Sequence, residues 1–214
     1  MSSLITPQWL GRISYTVALE LQESLVLKKI AGSPKDHLLL LEHDPIYTMG
    51  RNRDESSLGA EKLLPHPLIR TNRGGQATYH GPGQLVGYPI LDLNQYGRDL
   101  HLYLRFLEEV LIDVLSFYHV SGSRREGLTG VWVKDRKIAS LGVGVRKWIS
   151  MHGLALNVAR DLSGFLAIIP CGISGVTMTS LSQESGKELS TQEVAKTMAE
   201  TFLKRLKNLS NGKI

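Results

Sequence analysis

Cysteine is nearly absent: Cys171 is the one thiol in 214 residues. A lone cysteine excludes an intramolecular disulfide and suits a reducing compartment. No apolar run approaches the roughly 20 residues that span a bilayer. The opening Met-Ser-Ser-Leu-Ile-Thr-Pro-Gln lacks the basic start and apolar stretch of a signal peptide. A cytoplasmic protein without a membrane segment is therefore expected. Internal repeats and long linkers are missing too, so one domain over residues 1–214 is the expectation. No basic run stands out: 25 Lys and Arg against 20 Asp and Glu are scattered, which argues against a nucleic-acid partner. The net charge of +5 suits plain solubility or the steering of an acidic partner equally well. Zinc-ligand spacing is absent as well, since His43, His80, His101 and His152 are dispersed, and no metal site is expected.

Glycine, by contrast, is concentrated. Residues 73 to 89 hold five glycines (Gly74, Gly75, Gly81, Gly83, Gly87) among Arg73, Gln76, His80 and Gln84. Glycine weakens regular elements but lets a ligand or another backbone come close. A fold accepts so much of it where something must fit. The segment is no P-loop, for no Gly-Lys-Ser/Thr follows. It is no dinucleotide fingerprint either, since strand, helix and acidic residue are out of place.

Periodicity predicts a helix over Tyr15 to Ile30, stopped by Gly32-Ser33-Pro34. The run Leu38 to Leu41 suits a buried strand over His37 to Glu42. Short strands are predicted at Ile46 to Thr48, Leu68 to Thr71, Gln76 to Tyr79 and Gln84 to Ile90, with a polar loop and helical turn over Arg51 to Leu64. Asp99 is placed to cap a helix from Leu100 to Tyr118. Gly130 to Val133 and Lys137 to Val145, joined by Lys134-Asp135-Arg136, read as a hairpin. Leu154 to Val158 alternates as a strand. Ser190 and Glu193 form a possible capping box before a last helix. Many strands, few helices and no βαβ rhythm predict an α+β (α/β) domain on a mixed, largely antiparallel sheet.

Cys171 sits between Pro170 and Gly172 after an apolar run. One reading is a buried small hydrophobe. The other is a nucleophile presented by a tight turn at a strand end, which needs a nearby cation because a free thiol titrates near pH 8.5. Lys137 is the candidate cation, against the plainer reading of a solvated hairpin lysine. His80 raises a Cys–His pair, against simple packing within its own loop.

Four blocks carry more. They are Arg73-Gly-Gly-Gln-Ala-Thr-Tyr-His80 with Gly83-Gln84 and Tyr88-Pro89; Arg136-Lys137-Ile-Ala-Ser140-Leu-Gly142; His152-Gly-Leu-Ala-Leu-Asn157; and Pro170-Cys171-Gly172. His43-Asp-Pro-Ile-Tyr-Thr-Met-Gly-Arg51 joins them. In this order and spacing they resemble the octanoyltransferases of lipoate biosynthesis, from about Leu10 to Leu181. The resemblance implies a fold like the catalytic domains of lipoate and biotin protein ligases. It implies catalytic roles for Cys171 and Lys137. It implies substrate-binding segments at Arg73, Gly74, Gly75, Gln76, Ala77, Thr78, Tyr79 and His80, at Ser140, Leu141 and Gly142, and at Gly153, Leu154 and Ala155. The implied reaction moves an octanoyl or lipoyl group from acyl carrier protein to a lysine of a lipoyl domain, through a cysteine thioester. The acceptors would be 2-oxoacid dehydrogenases and glycine cleavage protein H. The acyl group would arrive on the carrier's phosphopantetheine arm, so no separate cofactor is expected, and the protein is expected to be a monomer. Expected oxyanion donors are backbone N–H groups at Cys171 and Gly172 or in a turn at Ser140 to Gly142. Ala77, Leu141 and Leu154 are expected to wall the acyl slot. An ATP-dependent lipoate ligase, a transferase serving a single carrier and an inactive binding module are the alternatives.

Overall fold

The computed structural model describes residues 5–52, 55–58, 61–173 and 175–210. The chain opens with β1 (Ile5–Ile13), α1 (Tyr15–Ile30) and β2 (Asp36–His43). β1 and β2 pair in parallel, which makes α1 a crossover helix. This βαβ unit corrects the expectation of none. A single unit makes no rhythm, and β1 hides its nature behind Pro7 and Gly11. Both are tolerated because β1 is an edge strand whose register slips around Gly11, at φ 66°.

β3 (Ile46–Met49), β4 (Leu68–Arg70) and β5 (Thr78–His80) form a small sheet in the order β4-β3-β5. β6 (Gln84–Ile90), α2 (Leu100–Phe117), β7 (Ser123–Arg125), β8 (Leu128–Val133), β9 (Arg136–Arg146) and β10 (Ile149–Asn157) follow. β11 (Thr177–Met178), α3 (Leu181–Ser185) and α4 (Thr191–Ser210) are the last described elements. The main sheet runs β1-β2-β6-β10-β9-β8-β7, with β11 added to β9. Apart from the parallel β1–β2 and β9–β11 pairs its ladders are antiparallel. The fold is thus the α+β arrangement with a mixed sheet that the pattern predicts.

Local chemistry explains the boundaries. Ser14 Oγ accepts from Val17 N at 3.3 Å, Asp99 Oδ1 from Leu102 N at 3.0 Å, and Ser190 Oγ from Glu193 N at 3.2 Å. Each such cap is worth about 1 kcal/mol. β10 starts well before the predicted Leu154. His152 and Gly153 mimic a turn in the sequence, yet both stay in the ladder, at φ 58° and 158°. β7 and α3 are too short to announce themselves by periodicity.

The layers follow from β2. Leu38 and Leu40 pack beneath α2 and α4 with Leu107, Leu111, Met198 and Phe202. Leu39 and Leu41 point to the other face and meet Ala18, Leu25 and Val26 of α1. A strand covered on both faces has to be apolar throughout, which is why it reads as an unbroken leucine run. A third cluster of Tyr47, Met49, Leu58, Ala77, Phe165 and Ile168 lies under the small sheet. Among the described residues no helix is long and apolar enough to cross a membrane.

Candidate active site

Cys171 does not end a strand as expected. It occupies a one-turn 3-10 segment, Pro170–Gly172, that follows a 3-10 helix at Ser163–Ala167. Its backbone is left-handed, at φ 57° and ψ 18°. Such a conformation costs about 1–2 kcal/mol for a residue with a Cβ and persists only where neighbours impose it. They do: Cys171 N donates to Ala77 O at 2.9 Å, Ile169 N to Ser57 O at 2.8 Å, and Gly172 N to Ile169 O at 3.0 Å. Gly172 is left-handed too, and a Cβ there would overlap the Gln76 carboxamide. The turn is clamped, and Cys171 remains partly exposed.

Downstream of the turn, β11 pairs in parallel with β9 at Arg136 and Lys137, and Thr179 N donates to Lys137 O at 2.9 Å. This pairing carries the cysteine segment to the lysine strand. The β8–β9 ladder slips between Val131, opposite Ala139, and Trp132, opposite Lys137. Ile138 and Ala139 therefore both enter the core beneath α2. A bulge of this kind re-aims the neighbouring side chain. Lys137 turns to the face that also carries Ser140, whose Oγ lies 3.6 Å from Cys171 Sγ. Lys137 is 1% exposed, so it is no solvated hairpin lysine.

A second cation is buried nearby. Arg73 Nη2 donates to Thr48 O at 2.6 Å, Thr48 Oγ1 at 2.8 Å and Gln76 O at 2.8 Å. Its Nε reaches Thr48 Oγ1 at 3.2 Å and its Nη1 reaches Gly74 O at 2.9 Å. Burial pushes the guanidinium below its ordinary range, and the Tyr15 phenol and Cys171 thiol oppose that shift. Arginine nevertheless stays charged in proteins. His80 is held by Gln84 Oε1 at 2.7 Å and Thr48 Oγ1 at 3.4 Å. Burial lowers it to about 3, and lowers His43 and His152 to about 4. All three imidazoles are neutral at pH 7. His80 thus packs within its own region and supplies no positive charge to a thiolate. A buried relay runs from His80 through Gln84 to Asn157 Oδ1 at 2.9 Å, and from Asn157 Nδ2 to Thr179 O at 3.0 Å. It ties the glycine-rich block to β10 and to the strand beside Lys137.

These groups surround a cavity of about 360 Å³, within the range of small-molecule pockets. Cys171, Lys137, Arg73, Gly75, Gln76, Thr78, His80, Ser140, Leu141, Gly142, Gly153, Leu154 and Ala155 all border it. Ala77 and Tyr79 do not, because alternate residues of an extended strand face opposite ways and these two meet the third cluster. Gly74 lies against β9, its N–H on Val143 O at 2.8 Å. Leu141 and Leu154 border the cavity but pack in the main core. Apolar wall comes also from Val86, Leu128 and Ile173, which the sequence reading did not single out. Tyr15, Tyr88 and His152 border the cavity as well. Tyr88 and His152 stand within the quoted blocks, whereas Tyr15 gave no signal beyond its place in a helix.

Two expectations about the oxyanion change. The N–H groups of Cys171 and Gly172 are already committed, as given above. Ser140 to Gly142 form no turn but lie within β9, opposite Ala155 to Gly153. What is uncommitted is side chain: Thr78 Oγ1 and Gln76 Oε1 are buried without a hydrogen-bond partner among the described residues, and both residues border the cavity. Among the described residues no cluster of three or more His, Cys, Asp or Glu is placed to hold a metal.

Residues 14–203 match the family described as the lipoyl protein ligase A/B catalytic domain. The chain is 51% identical over 198 residues to an octanoyltransferase of Syntrophotalea carbinolica, covering 92% of each. In structure it is similar to a bi-partite lipoate protein ligase from Thermoplasma acidophilum, with a TM-score of 0.73 at 19% identity, covering 97% of this chain and 84% of that one. A biotin protein ligase from Aquifex aeolicus gives 0.58 at 16% identity, over 98% and 72%. These two likenesses concern the fold, which is that of lipoate and biotin protein ligase catalytic domains.

Proposed function

Since the chain belongs to the octanoyltransferase family of lipoyl protein ligase A/B catalytic domains, we propose that it transfers octanoyl through a thioester on Cys171, from acyl carrier protein to a lysine of a lipoyl domain. The observation that carries this reading is the shared cavity. A clamped, partly exposed cysteine opens on the same space as a buried lysine and a buried arginine.

The thiolate of Cys171 attacks the carbonyl carbon of the incoming thioester. The bond to the pantetheine sulfur breaks, and that sulfur leaves with a proton from Lys137. The ε-amine of the acceptor lysine then attacks the enzyme thioester and gives its proton to Lys137. The amide forms and Cys171 departs as thiolate. Thioester to amide is downhill, so the transfer calls for no ATP. Arg73, with its Nε, both Nη2 and one Nη1 N–H engaged, serves as fixed positive charge for the thiolate. The Thr78 hydroxyl donates to the oxyanion that forms in both steps, and Gln76 Oε1 accepts from the entering amine. Both groups stand buried and unpaired until substrate arrives, which is the preorganisation such stabilisation requires. The apolar wall reads chain length, at about 0.8 kcal/mol per buried CH₂. An acidic carrier suits the net charge of +5.

Mixing the protein with octanoyl-acyl carrier protein should add one octanoyl group to the Cys171 peptide, seen by mass spectrometry. Octanoate with ATP should give no product. The reverse pair of results would replace this reading with an ATP-dependent ligase, and binding without turnover would leave a docking module.

A further inference from the structure

Lys137 is buried. Among the described residues no carboxylate lies within ion-pairing distance of it. A cation taken from water needs some partner. Its partner among the described residues is a ring: Lys137 Nζ lies 5.0 Å from the centroid of Trp132, itself fully buried. Val131 and Val133 enter the core beneath α2, so Trp132 between them faces the other way, as Lys137 does. The bulge sets the two opposite each other.

The surroundings keep them there. A Cβ on Gly130 would lie 2.8 Å from Lys137 Cε, 2.7 Å from Ala139 O and 3.3 Å from Trp132 Cη2. Gly130, at φ 133°, therefore leaves the passage for the lysine stem. Its N–H donates to Glu108 Oε1 at 3.1 Å, and Glu108 is fixed in turn by Arg105 at 2.6 Å and Arg124 at 2.9 Å.

Resting on the transfer reading above, we propose that Trp132 is a positioning residue whose π face holds the Lys137 amine over the cavity in place of a carboxylate. A carboxylate would bind the lysine by accepting its N–H groups and would oppose their release. A ring face attracts the charge while offering no lone pair. The N–H groups then stay available to the departing sulfur, and the neutral amine remains reachable for the second step.

The test uses Trp132 as the sole indole, in a Trp9→Phe, Trp148→Phe background, with tryptophan replaced by mono-, di- and tetrafluoro analogues. Fluorine withdraws charge from the ring face and barely changes its shape. Trp132 Nε1 has no hydrogen-bond partner among the described residues, so its altered acidity has no acceptor there to act on. Single-turnover acylation of Cys171 by octanoyl-pantetheine should slow stepwise with each added fluorine, to about tenfold for the tetrafluoro ring. The KM for the thioester should stay unchanged. Trp132→Phe should fall between the native and tetrafluoro proteins. Rates flat across the fluorine series would overturn the proposal, even if Trp132→Leu lowers them, because packing alone would then explain that loss. Failure of the unfluorinated protein to acylate Cys171 at all would strike the transfer reading instead, and is seen separately.

Discussion

Arg73 and Lys137 are the two buried cations of one cavity, and they are held in opposite ways. Arg73 spends its donors on Thr48, Gly74 and Gln76. Lys137 rests on an indole and pairs with no carboxylate among the described residues. The first arrangement fixes a charge and, with it, the shape of a glycine-rich loop. The second leaves the lysine N–H groups without a carboxylate acceptor among the described residues. In the proposed mechanism the fixed charge of Arg73 serves the thiolate and the amine of Lys137 passes the protons, so the two holdings match two different tasks.

That contrast can be broken by substitution. Cys171→Ser should lose both the acyl-enzyme and turnover, while binding of donor persists by fluorescence titration; retained turnover would remove the covalent route. Lys137→Met should lower single-turnover rates in both half-reactions by about 10²–10⁴-fold. Its folding stability should change by less than about 1 kcal/mol, since an apolar side chain, still packed on Trp132, replaces a buried cation that no carboxylate pairs among the described residues. Arg73→Met should behave differently, costing about 3 kcal/mol or more in urea melts, because it strands buried acceptors as well as slowing alkylation of Cys171. Equal stability losses in the two variants would erase the distinction.

Smaller effects sharpen it. Thr78→Val should slow both half-reactions about 10²-fold, with Thr78→Ser restoring most of the rate. Gln76→Leu should slow only amine transfer, so that acyl-enzyme accumulates. The buried histidines give a pH signature. The unfolded chain protonates them near pH 6.5, while the folded chain holds them neutral down to about 4 for His43 and His152 and about 3 for His80. Protons then favour the unfolded state, and stability should fall as pH drops below 6.5. Each histidine should contribute up to about 2 kcal/mol of loss by pH 5. Urea midpoints at pH 7 and 5 measure this, and a flat profile would contradict their burial.

Long elements with strong periodicity were legible: α1 and α2 stand where their apolar spacing and the Asp99 cap place them. β1 was not, because Pro7, Gly11 and half-buried polar residues mask an edge strand. The small residues of the glycine-rich block, the lysine strand and the cysteine turn were legible as a set. Which of them face the cavity was not. Ala77 and Tyr79 lie in the same stretch as Gln76 and Thr78, and only the direction of β5 and its lead-in separates them.

Sequence alone determined the composition of this site: one thiol, the hairpin lysine Lys137, a glycine-rich loop, and a strand whose leucine run demands cover on both faces. Tertiary structure decided which charges are buried, which N–H groups are already taken, and that a one-residue slip between β8 and β9 turns Lys137 away from solvent. The reason is physical. Residue type and periodicity act over a few residues, whereas burial and hydrogen-bond commitment depend on segments that meet only when β11 and the Cys171 turn close against β9 and β5.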